Sequence, residues 1–115
     1  MHETAIVAAL IDQVEEQVRQ SGLQGPVLRV EISIGRLSGV CPHSVRFAFE
    51  FLAAGTVVEG ATLAIDEPRA CCRCLACGAE TVIDEIAVQC PRCGSDEVRI
   101  EGGRALMLQT IELAD

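Results

Sequence analysis

The chain has no Trp, no Tyr and no Lys. Its three aromatics are Phe47, Phe49 and Phe51, so a core must rest on Leu, Ile, Val and Ala. All nine basic residues are Arg, and the net charge is −8. A protein that grips the phosphates of DNA or RNA needs a basic face, so the acidic balance argues against nucleic acid. It suits a basic protein partner or metal cations. No apolar run is long enough to cross a bilayer. The opening Met-His-Glu-Thr has no basic leader before an apolar stretch, so no secretory signal is read there. A reducing, cytoplasmic setting is therefore expected. No Gly-rich phosphate loop and no nucleophile–base pairing is seen, so the chain is not expected to be an enzyme.

What the chain does have is cysteine, seven in 115 residues. Four form two pairs, Cys74-Leu75-Ala76-Cys77 and Cys90-Pro91-Arg92-Cys93, each followed by a glycine, Gly78 or Gly94. Two residues between thiols let both sulfurs face one ion. Two such knuckles brought together make a tetrahedral all-sulfur site, the geometry of structural Zn(II). The glycines allow the left-handed backbone that turns amide hydrogens back toward sulfur. A pair of disulfides, or two redox pairs, fits this spacing less well. Cys71-Cys72-Arg73-Cys74 offers a competing register for the first knuckle; the glycine after Cys77 favours Cys74 and Cys77. Arg73 and Arg92 either offset the thiolate charge or are ordinary surface charges.

Hydrophobic spacing organises the rest. Residues 3–21 read as an amphipathic helix, with Ile6, Leu10, Val14 and Val18 in a stripe that Val7 and Ile11 widen. Residues 27–34 alternate, Leu28, Val30, Ile32 and Ile34 pointing one way. Pro42 opens a second helix over 42–54, with Val45, Phe49 and Leu52 as its stripe, helped by Ala48 and Phe51. Strands are expected at 61–66 and 104–113, and hairpin arms at 81–88 between the knuckles. The fold class is α/β: a small three-stranded sheet covered by two helices, with an inserted four-cysteine, zinc-ribbon-like module. Residues 1–67 and 104–115 form the α/β domain and 68–103 the insertion. Too short for a large core, the insertion depends on its metal to fold.

His2 carries a second metal reading. A histidine at a chain end is usually just solvated. At position 2, however, it can offer its imidazole and its own amide to one ion, with the Met1 amine and the Glu3 amide one chelate ring away. Such a nitrogen-rich, square-planar field favours Cu(II) and Ni(II) over Zn(II) and Mg(II). It requires an unextended amino terminus.

Met1-His2-Glu3, the run Val30-Glu31-Ile32-Ser33-Ile34-Gly35-Arg36-Leu37-Ser38-Gly39-Val40, Arg46-Phe47-Ala48-Phe49-Glu50 and the two knuckles, in this order, resemble the HypA/HybF family. Its members are nickel metallochaperones of [NiFe]-hydrogenase maturation, some also serving urease. The resemblance implies transient Ni(II) cargo at His2, with Glu3 beside it, and zinc at Cys74, Cys77, Cys90 and Cys93. It also implies a HypB-type GTPase and the hydrogenase large subunit as partners. The family commonly has an acidic residue at the position of Cys41. The thiol here is either a softer, additional nickel ligand or an inert cysteine at a helix start. His43, two residues on, is read as solvated. Two other functions compete. A zinc-ribbon adaptor for nucleic acid or the transcription machinery would need a basic excess that the knuckles lack, and a rubredoxin-like iron carrier would be red.

Overall fold

The computed structural model describes residues 2–114; Met1, Asp115 and the side chain of His2 lie outside the described residues. The chain divides into two compact units. Unit 1 comprises residues 1–32, 40–65 and 107–115, and unit 2 comprises 33–39 and 66–106.

Unit 1 begins with helix α1, His2–Ser21. Val7, Leu10, Ile11 and Val14 are buried, the spacing that puts one helix face in the core. The helix ends where the Ser21 hydroxyl turns back to the Val18 carbonyl at 2.7 Å, and Gly22 takes a left-handed φ of 74°. Strand β1 follows, Val27–Ile34. Val30, Ile32 and Ile34 are buried as the alternation predicts, but Leu28 is exposed and Val27 is buried at the strand's start.

Helix α2, Pro42–Leu52, starts with proline in its first turn, where a missing N–H breaks no helical hydrogen bond. Val45, Ala48 and Phe49 are buried. Phe51 is not: it stands two residues, about 200°, around the helix from Phe49, and shares the outer face with Phe47, four residues before it. Helix α1 packs against α2. The Arg46 guanidinium donates to the carbonyl of Leu63 at 2.7 Å. That ties the helix to strand β2, Thr62–Asp66. Val7, Val14, Val30, Ile32, Val45, Phe49, Val58 and Leu63 are the buried apolar heart of this unit. Each such side chain contributes about 1.5–3 kcal/mol by leaving water.

Unit 2 holds three further strands, β3 (Ala70–Cys74), β4 (Glu80–Ile83) and β5 (Val98–Glu101). They form an antiparallel sheet in the order β4-β3-β5, Cys72 lying opposite Thr81 on one side and Ile100 on the other. The hairpin arms are thus β3 and β4, on either side of the first knuckle; of the expected 81–88 only 81–83 lie in an arm. The knuckle is itself the turn: Gly78 has φ 78°, and Cys74 N–H closes on the Ala79 carbonyl at 2.9 Å. The core is small, Ala70, Cys72 and Ile83, with Leu37, Ala87, Val98 and Ile100 packed against it. Leu37 comes from the short segment 33–39, which joins this unit from a distant part of the sequence. Its amide donates to Gly103 at 2.6 Å, and the Arg36 amide to Pro68 at 2.9 Å. Only glycine fits where these backbones meet. A Cβ on Gly35 would stand 2.3 Å from the carbonyl carbon of Gly103, and one on Gly103 would stand 2.7 Å from Ala70 Cβ.

The last strand, β6 (Leu106–Leu113), completes the other sheet, whose order is β2-β1-β6. It is an edge strand. None of its residues is fully buried, so the apolar side chains of the expected strand stay partly open.

Candidate metal centre

The four knuckle sulfurs converge. Cys74 Sγ lies 3.6 Å from Cys93 Sγ and Cys77 Sγ lies 3.8 Å from Cys90 Sγ. All four lie within 4.8 Å of one another. Four sulfurs about 2.3 Å from one tetrahedral ion stand about 3.8 Å apart, so the cage has the size of such a site. Among the described residues it is the one group of three or more His, Cys, Asp or Glu side chains close enough to share an ion. Cys74 and Cys90 are buried while Cys77 and Cys93 are exposed.

The backbone makes the site before any metal does. Cys77 N–H points at Cys74 Sγ (3.3 Å), and the amides of Arg92 and Cys93 point at Cys90 Sγ (3.3 and 3.4 Å). Gly78 and Gly94, each with φ 78°, close the two turns through hydrogen bonds to the carbonyls of Cys74 and Cys90. The knuckles are therefore near copies of one another. Amides of Cys93 and then Arg92 pull the Cys90 thiol down to about 6, and the Cys77 amide lowers Cys74. The last proton is harder to remove. The Ser95 amide favours the Cys93 thiolate, but the neighbouring sulfurs, Cys74 first, push that thiol up to about 12. Four thiolates this close ionise together only around a cation, and the donor set fits a soft or borderline divalent ion.

At the other end of the chain, in unit 1, Glu3 and Cys41 meet. Cys41 precedes helix α2, and its backbone N–H donates to the Glu3 carboxylate at 3.3 Å. The Cys41 side chain is exposed. Its thiol is lowered, chiefly by the Ser44 hydroxyl and then by the Ser44 and His43 amides at the helix start. Glu3 and His43 line one groove together with Thr4, Ser44, Phe47, Ala48, Phe51 and Leu52. The expected nickel ligands Met1 and His2 lie outside the described residues, apart from the His2 backbone that opens α1.

Residues 1–113 match the profile of the family described as "Hydrogenase/urease nickel incorporation, metallochaperone, hypA". The chain belongs to the HypA family. It is 37% identical over 113 residues to the hydrogenase maturation factor HypA of Chlorobaculum tepidum, covering 98% of this chain and 99% of that one. It is 42% identical over 103 residues to the HypA of Syntrophus aciditrophicus, covering 90% of each. The solution structure of the Ni metallochaperone HypA from Helicobacter pylori superposes with a TM-score of 0.65 at 26% identity, over 96% of both chains. A second HypA solution structure gives 0.69 at 26%, over 99% of this chain and 97% of that one. The α/β architecture with its cysteine module is thus a HypA fold. No described helix is long and apolar enough to cross a membrane.

Within this HypA chain the surplus cysteines part company with the knuckles. Cys71 is half-buried in mid-strand, opposite Val82 and Glu101. Cys72 faces the small core of unit 2, where burial first, and the nearby sulfurs next, push its thiol up. Arg73 is engaged by Glu80 (2.8 Å) and Glu101 (3.2 Å) on the flanking strands. Arg92 contributes its amide to Cys90. Sequence reasoning missed the Glu3–Cys41 contact and the place of segment 33–39 in unit 2. Neither leaves a local signal, since both join residues more than thirty positions apart. It also missed that Phe47 and Phe51 face outward, although their spacing from Phe49 carries that information.

Proposed function

We propose that this chain carries Ni(II) at its amino terminus and delivers it during maturation of [NiFe]-hydrogenase, with zinc held by Cys74, Cys77, Cys90 and Cys93. Membership of the HypA family over almost the whole chain carries the reading. The two metals have different chemistry. Zinc in a closed cage of four thiolates has no open position and no redox chemistry, so it shapes the fold and does not react. Nickel at His2, Glu3 and the Met1 amine is held by nitrogen and oxygen groups at a chain end, an open site from which an ion can leave. Cys41 is the group suited to join them, since its exposed thiol is already lowered and its amide holds Glu3.

The proposed sequence of events is short. The chain takes nickel at the amino terminus, meets a HypB-type GTPase and the hydrogenase large subunit in the cytoplasm, and releases the ion to the latter. The chain itself makes and breaks no covalent bond. Metal analysis and calorimetric Ni(II) titration of the untagged, zinc-loaded protein test the reading, beside the His2→Ala variant. One zinc per chain in both, with nickel binding lost in the variant, is expected. Equal nickel affinity in the two proteins would overturn the assignment of nickel to the amino terminus.

A further inference from the structure

The four knuckle sulfurs are not equally sheltered. Cys74 and Cys90 are buried, while Cys77 and Cys93, the second cysteine of each knuckle, are exposed. The tips on which the exposed pair stand are open. Leu75 is 58% exposed, Ala76 and Arg92 lie in water, and a Cβ on Gly78 or Gly94 would meet no atom within 4 Å. A small oxidant in water can therefore reach one sulfur of each knuckle.

Amide hydrogens are shared unevenly too. Cys74 Sγ takes one, from Cys77, and Cys90 Sγ takes two, from Arg92 and Cys93. The Ser95 amide serves Cys93. Among the described residues no backbone amide donates to Cys77 Sγ. An amide that donates to a thiolate draws charge from it and makes it a weaker nucleophile. Cys77 combines exposure with the least such damping, so it is the sulfur of the cage best placed to react. The nearest sulfur pairs run between the knuckles: Cys77 Sγ stands 3.8 Å from Cys90 Sγ, and Cys93 Sγ 3.6 Å from Cys74 Sγ.

We propose that Cys77 is the point at which a peroxide opens the metal cage, with Cys90 closing a disulfide across the two knuckles and the metal set free. The inference rests on the zinc reading above and adds a redox switch to that site. Zinc itself has no redox chemistry; its sulfur ligands do. The Cys77 thiolate attacks one peroxide oxygen, the O–O bond breaks, and hydroxide leaves with Cys77 as the sulfenic acid. The Cys90 thiolate then attacks that sulfur, the S–O bond breaks, and a second hydroxide leaves. The two sulfurs lose two electrons, peroxide gains them, and two protons from solvent turn the hydroxides into water. A cage left with two thiolates no longer meets the four-ligand demand of a structural zinc, so the ion is released. Unit 2 loosens, because its own core is only Ala70, Cys72 and Ile83. The new bond keeps the knuckles side by side, so a thiol reductant restores the cage in place.

The test uses the full-length, zinc-loaded, reduced chain without oxygen. Its zinc content is measured first, since a chain that holds no zinc marks failure of the zinc reading itself. Hydrogen peroxide is then added, released zinc is read with a chromogenic chelator, and the cysteines are mapped by differential alkylation and peptide mass spectrometry. Mapping on wild type avoids substituting a ligand. The expected result is one zinc released per disulfide formed, Cys77–Cys90 as the main linkage, and zinc uptake restored by dithiothreitol. Cys71→Ser is expected to release zinc at the wild-type rate. Zinc retained while Cys41 or Cys71 takes up the oxidant would overturn the proposal. So would a main linkage within one knuckle, Cys74–Cys77 or Cys90–Cys93, or a release that the reductant does not reverse.

Discussion

The backbone amide of Cys41 donates to the carboxylate of Glu3 at 3.3 Å, joining the start of α2 to the start of α1. Thirty-eight positions separate the two residues. The contact engages one carboxylate oxygen, and the Cys41 side chain is exposed.

A graded loss of nickel affinity follows. Glu3→Ala removes a proposed ligand and is expected to weaken Ni(II) by tenfold or more, about 1.4 kcal/mol. Cys41→Ser keeps the backbone amide and with it the Glu3 contact, so a loss of only a few-fold is expected. It should also abolish any near-ultraviolet sulfur-to-nickel absorption. Nickel spectra of the two variants decide this. An unchanged spectrum in Cys41→Ser would remove the thiol from the site.

Zinc removal should unfold unit 2 in preference to unit 1. Its sheet covers a core of three buried residues, too few to hold it without the metal. Hydrogen exchange of the β3–β5 amides should therefore accelerate strongly in Cys77→Ser or after chelation, while the α1 and α2 amides stay protected. Cys71→Ser is expected to leave zinc content at one per chain, because Cys71 lies in mid-strand, opposite Val82 and Glu101. Loss of zinc in that variant would point to the competing register.

Glycine substitutions should separate close approach from backbone conformation. Gly39 has φ 78° with open space around it, so Gly39→Ala carries only the left-handed penalty, about 1–2 kcal/mol. Gly103→Ala adds to a φ of 71° a clash with Ala70, where Cβ would come within 2.7 Å. It is expected to be the more damaging by at least about 1 kcal/mol, the lower range of an overpacked core. Urea unfolding of the zinc-loaded variants measures both.

Much of the fold is legible in the chain because its signals are local. Pro42, Gly22 and the alternation of 27–34 mark where α2 starts, where α1 stops and where β1 runs. The two Cys-x-x-Cys-Gly knuckles likewise announce a converging site, since each builds its own amide-to-sulfur hydrogen bonds. Leu37 was not legible. Nothing near it in sequence shows that it packs against Ala70, Cys72 and Ile83, because that contact depends on how distant segments meet. The open stripe of β6 was hidden for a similar reason. Alternation shows which residues share a face, and edge position decides how much of that face stays in water.

Glu31 offers a test by pH in unit 1. Its carboxyl is held below its ordinary value of 4.5, first by the Thr110 hydroxyl on β6 and then by Arg29. A depressed carboxylate stabilises the fold above the unfolded value and loses that contribution as pH falls through the folded one. Wild type should thus exceed Glu31→Gln in stability at neutral pH. The gap should shrink as pH drops below about 4.5. Thermal unfolding of both proteins across that range checks it, and a gap that widens in acid would contradict the assignment.

The central claim is that nickel reaches the hydrogenase by way of the amino terminus of this chain. The most direct measurement is the nickel content of the hydrogenase large subunit isolated from cells that lack this protein, complemented with wild type or with His2→Ala. The account predicts nickel-loaded enzyme with wild type, nickel-free enzyme with the variant at equal protein level, and partial recovery when the medium is enriched in nickel. Full nickel loading with His2→Ala in ordinary medium would contradict it.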